Sequence, residues 1–79
     1  MEISYWQAKL RLIDVIRTSL DLSLFDQVRV SISRYSKEDS GHLFEGEGTF
    51  RKMGEYRLEK RRFKVRLDSE GKPTNVEFE

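Results

Sequence analysis

The chain has 79 residues, of which 37% are charged, yet the formal net charge is only +1. That length holds one domain, residues 1–79, with a modest core, and the absence of cysteine excludes disulfides, thiolate metal ligands and a cysteine nucleophile. No apolar run reaches the roughly 18–20 residues of a bilayer span, and Met1-Glu2-Ile3-Ser4 lacks the basic-then-apolar pattern of a secretory leader, so the expectation is a cytoplasmic protein with no membrane partner.

Ser4 with Gln7 fits a capping box, which starts a helix at Tyr5. The helical repeat carries it to about Leu20 and places Trp6, Leu10, Ile13, Ile16 and Leu20 on one side. Ala8, Leu12 and Val15 lie beside that stripe, and Gln7, Arg11, Asp14 and Thr18 form the polar strip. The apolar arc is wider than a flat sheet covers. Either the sheet curls around the helix or a second surface meets it. Lys9 interrupts the arc and is expected to snorkel.

After an apolar connector, residues 21–26, alternation marks a first strand over Gln27–Tyr35 with Val28, Val30 and Ile32 inward. Ser36 to Gly41 reads as a polar loop and His42–Lys52 as a second strand. Within that strand Phe44, Gly46, Gly48 and Phe50 share one face. Two glycines on one face point to a close approach, here by the helix, with Trp6 or Leu10 above them. Met53-Gly54-Glu55 is a turn, and Tyr56–Asp68 a third strand. Its inward parity changes from Tyr56 and Leu58 to Phe63, Val65 and Leu67, which predicts a bulge near Lys60–Arg62. A turn over Asp68–Pro73 leads to a fourth strand holding Val76 and Phe78.

The registers that bring apolar residues together pair Leu67 with Thr74, Val65 with Val76 and Phe63 with Phe78, leaving Lys64–Glu77 and Arg62–Glu79 outside. Between the first two strands, Ile32 pairs with Phe44, Val30 with Gly46 and Val28 with Gly48, with Arg29 and Glu47 outside. The fold class is therefore α+β: an N-terminal helix packed on a curved four-stranded antiparallel meander, in the order α-β-β-β-β. That element order is similar to the cystatin-like fold, in which a bent sheet wraps a helix. Cystatin inhibitors carry a Gln-x-Val-x-Gly hairpin loop, whereas the corresponding loop, Ser36 to Gly41, matches it only in glycine. Protease inhibition is not implied by the resemblance.

No catalytic residue, metal site or cofactor is expected. His42, the single histidine, lies at a loop-to-strand junction and is expected in solvent, without a second histidine or a cysteine to build a triad or zinc site. Gly46 and Gly48 precede no helix and are not a phosphate loop. Asp39 with Glu38, and Asp68 with Glu70, are explained by turn chemistry more simply than by cation binding.

Charge is distributed unevenly. Arg51 to Arg66 holds eight basic and two acidic residues, a local net of +6, against −5 for the remainder. Arg57, Arg62, Lys64 and Arg66 are expected outward on the third strand, with Arg61 in the bulge. They form a candidate nucleic-acid or partner surface, on which Tyr35 or Tyr56 could stack bases. Glu45, Glu47, Glu77 and Glu79 flank this row, so a solvated ion-pair lattice is the simpler reading. The first strand is an edge without proline or lysine over Gln27–Tyr35, and Arg29, Ser31 and Ser33 on it form a candidate dimer edge. The reading is thus a small non-enzymatic protein-interaction domain that forms a homodimer, its protein partner otherwise unidentified. The alternative is a nucleic-acid-binding module that uses the basic strand.

Overall fold

The computed structural model describes residues 4–79; Met1–Ile3, where no leader pattern is read, lie outside the described residues. Helix α1 spans Tyr5–Ser19 and begins with the expected box: Gln7 N–H donates to Ser4 Oγ at 3.2 Å, and Ser4 N–H donates to Gln7 Oε1 at 3.2 Å. It ends in a paired C-terminal motif. Asp21 N–H donates to Thr18 O and Leu22 N–H to Arg17 O, with Asp21 in the left-handed region at φ 54°.

Four strands follow, β1 (Gln27–Glu38), β2 (Gly41–Arg51), β3 (Glu59–Asp68) and β4 (Pro73–Phe78), in one antiparallel sheet of order β1-β2-β3-β4. The helix lies on one face of this sheet, against β1 and β4. The core joins Ala8, Leu12, Val15 and Ile16 of α1 to Val30, Phe44, Phe63, Val65 and Leu67 of the sheet.

Several expectations are corrected. The helix buries the row Ala8, Leu12, Val15, Ile16, and leaves Trp6 70% and Leu10 63% exposed. Ala8 is the smallest residue of the apolar arc, so the helix can sit close to the sheet on that row. Trp6 instead stands edge-on to Tyr5, with the Lys9 ammonium 5.7 Å from its ring centroid. Trp6 and Leu10 therefore do not cover the glycines.

The hairpin between β1 and β2 is tighter than expected, since β1 continues to Glu38 and only Asp39-Ser40 turn the chain. The β1–β2 register is shifted by two residues from expectation: Ile32 pairs with Gly46, Val30 with Gly48 and Val28 with Phe50. Arg29 consequently faces Thr49, and Ser31 faces Glu47. The bulge lies in β1, between Ile32 and Arg34, and not at Lys60–Arg62, where β2 and β3 pair without interruption. β3 begins only at Glu59, so Tyr56 and Leu58 belong to an exposed loop and impose no parity change on the strand. The β3–β4 register holds for Val65–Val76, Phe63–Phe78 and Lys64–Glu77, and Glu79 N–H donates to Arg62 O. At the far end Leu67 pairs with Pro73 instead of Thr74. Pro73 has no N–H to give, and the Thr74 hydroxyl donates to Arg66 O at 3.3 Å.

Candidate functional site

Strand β1 is an open edge of the sheet. Its bulge divides it. Ser33 sits there and turns its hydroxyl to Glu45 O at 3.1 Å, so this member of the expected dimer edge is bonded to its own sheet. Gln27–Ile32 remains as a regular stretch, with Arg29 and Ser31 exposed on the side away from the helix and Val30 buried beneath it. Lys9 and Ile13 of α1 reach this edge and line a shallow cleft with Val28 and Val30. Trp6 and Leu10 precede Ile13 by seven and three residues, so they continue the same side of the helix as an exposed apolar flank. The opposite edge, β4, is half as long and begins with a proline.

The basic surface is divided between faces. Lys64 pairs with Glu45 at 3.7 Å and Arg66 with Glu38 at 3.2 Å, on the face away from the helix. Lys60 joins that lattice through Glu47 at 3.9 Å, and Arg34 through Glu45 at 3.8 Å. Arg62 alternates with Lys64 and faces the same way, opposite Glu47. Arg61 lies in regular strand, paired with Gly48, and its parity places it on the helix side with Phe63. Arg57 precedes β3 in the loop. The five cations do not form one row.

His42 is buried at 5% exposure, against expectation. It pairs with Leu67 and Lys37 and shares the inner face with Phe44. Its Nδ1 is 2.7 Å from Tyr35 Oη, and the two rings stack at 5.7 Å between centroids. Alternation from Phe44 already places His42 inward, and that signal outweighs its position at the strand start. Tyr35 is committed to this pair and to Phe44, which removes it from the outer face where it would stack a base. Among the described residues no group of three His, Asp or Glu side chains is arranged to hold a metal ion.

Sequence reasoning missed a cluster at the end of the sheet where β1 starts and β2 stops. Phe25, Met53 and Tyr56 line one shallow depression there with Arg51 and Lys52. Leu24 and Phe25 read as connector residues, and Tyr56 as an inward strand residue, so no periodic pattern distinguished them.

No family model, curated protein or solved structure matches this chain. The fold and site define an α+β class, one helix on a four-stranded antiparallel meander, and the cystatin-like comparison remains one of element order. Among the described residues no helix is long and apolar enough to cross a membrane.

Proposed function

We propose that this chain is a small, non-enzymatic protein-interaction domain of the cytoplasm that self-associates through the β1 edge. The observation that carries the reading is the coincidence of an open, regular backbone edge over Gln27–Ile32 with an exposed apolar flank of α1 beside it. An unpaired edge offers backbone donors and acceptors to a second chain. The flank of Trp6, Leu10 and Ile13 supplies apolar area for the same partner. The lack of cysteine agrees with a reducing compartment.

A second copy fits the chemistry of this edge. Two β1 strands related by a two-fold axis pair antiparallel, and opposed residues must point to the same side. Centring the axis on Val30 sets Val28 against Ile32 on the helix side and Arg29 against Ser31 outside. No like charges then meet within this stretch, and the helices of both copies lie on one face. The basic surface supports a nucleic-acid partner less well, because Lys64 and Arg66 already face carboxylates and Arg61 points elsewhere.

Ser31→Lys tests the assignment. With the axis on Val30, the introduced ammonium stands against the partner's Arg29. Dimerisation should weaken by about tenfold or more while the circular dichroism spectrum stays unchanged. Undiminished association in that variant contradicts the β1 interface.

A further inference from the structure

Two loops meet at one end of the sheet, residues 20–26 between α1 and β1 and residues 52–58 between β2 and β3. One carboxylate ties them together. Asp26 is buried; Oδ2 accepts from Ser23 N–H at 2.8 Å and Oδ1 from Met53 N–H at 2.7 Å. Arg17, in the last turn of α1, donates from Nη1 to Ser23 O at 2.6 Å and to Asp26 O at 2.8 Å. Both loops are thus held in place by bonds that cross between elements.

The side chains that these bonds present are apolar and in water. Tyr56 is 98% exposed and Phe25 79%, with Leu24 and Met53 similarly free. Contiguous exposed apolar area of this kind marks a contact surface. Phe25, Met53 and Tyr56 share their depression with Arg51, Lys52 and Glu55, and the neighbouring depression holds Arg57, Arg61 and Glu59 beside Leu20 and Leu22, so the cations outnumber the carboxylates across the two. Among the described residues none of these four cations makes an ion pair. The Asp26 carboxylate accepts from the Met53 and Ser23 backbone donors and also feels the Lys52 charge, which leaves Arg51, Arg57 and Arg61 as the cations of this end that no carboxylate pairs with among the described residues.

The geometry points to this end of the molecule as a docking surface for an anionic lipid bilayer: Phe25, Met53 and Tyr56 enter the interfacial region while Arg51, Lys52 and Arg57 meet the headgroups. Charge complementarity selects an anionic partner. Its fluid character is selected by shape, because the apolar side chains stand almost wholly free on an open surface and a bilayer needs no matching groove. A nucleic acid would use the aromatic faces but gains nothing from Leu24 and Met53. This departs from the expectation of no membrane partner, which rested on the lack of a spanning segment, because surface docking requires none.

Sedimentation of the full chain with vesicles tests this. Vesicles of phosphatidylcholine mixed with phosphatidylserine should carry the protein down, and vesicles of phosphatidylcholine alone should not. Lys52→Glu with Arg57→Glu should weaken binding by at least about fivefold for each reversed charge. Phe25→Ser with Tyr56→Ser should weaken it by about tenfold or more with an unchanged circular dichroism spectrum, since both side chains lie in solvent. Absence of sedimentation with the mixed vesicles overturns the proposal, as does full binding by the Phe25/Tyr56 variant. Preferential binding of a short single-stranded oligonucleotide, abolished by the same substitutions, would assign the surface to nucleic acid instead.

Discussion

Gly46 and Gly48 alternate on one face of β2 and have different reasons to be glycine. A Cβ at Gly46 would run into the Ser31 carbonyl oxygen, because β1 approaches closely just before its bulge. A Cβ at Gly48 would crowd Ile16 Cδ1, at 3.2 Å, the end of a side chain that can move, and would meet Arg61 O at an ordinary 4.0 Å. Gly46→Ala should therefore destabilise the fold by about 1–3 kcal/mol, and Gly48→Ala by less than about 1 kcal/mol. Chemical denaturation of the two variants checks this, and equal losses would contradict it. Sequence alternation was enough to find both glycines and to imply a close approach. It could not show that the strand partner, and not the helix, makes the closer one at Gly46, because that depends on a bulge in another strand. The inward place of His42 was legible from Phe44 by the same alternation. Its bond to Tyr35 was not, since the bulge moves Tyr35 onto the inner face.

At the scale of elements, the start of α1 and the β3–β4 pairing were legible because local chemistry decides them: a capping box in one case, opposed apolar and opposite-charge pairs in the other. The buried face of α1 was not. Its apolar arc includes both the Trp6–Leu10–Ile13 side and the Ala8–Leu12–Val15 side, and only the sheet's shape decides between them. Sequence parity predicts a bulge in β3 where β1 carries it, because Tyr56 and Leu58 look like strand residues while lying in a clasped loop. The helix end offers a test of the local account. Asp21 occupies a left-handed position and carries a negative charge at the negative end of the helix dipole. Asn tolerates that conformation and lacks the charge. Asp21→Asn should stabilise the protein by about 0.3–1 kcal/mol, read as a higher denaturation midpoint; a lower midpoint would show that the Asp21 carboxylate contributes something the cap geometry does not reveal.

At the scale of the whole molecule, two carboxylates couple loop order to pH. Met53 and Ser23 N–H groups hold the Asp26 carboxyl below its ordinary 3.8. Lys72 N–H, with help from Glu70 N–H, does the same for Asp68 in the β3–β4 turn. A carboxyl that is more acidic in the folded chain than in the unfolded one stabilises the fold above the ordinary value, and this is lost as pH falls through the folded value. Stability should thus be steady near neutrality and decline below about pH 4, with a shallower decline in Asp26→Asn; an unchanged acid limb in that variant would separate the clasp from acid stability. Self-association through β1, as proposed, would give the open β1 edge and the exposed Trp6–Leu10 flank a common purpose. The most direct test is sedimentation equilibrium of the wild-type chain across a range of concentrations. A β1 dimer gives a mass rising with concentration to twice the 9.4 kDa of one chain; a mass of 9.4 kDa at every concentration would rule that dimer out.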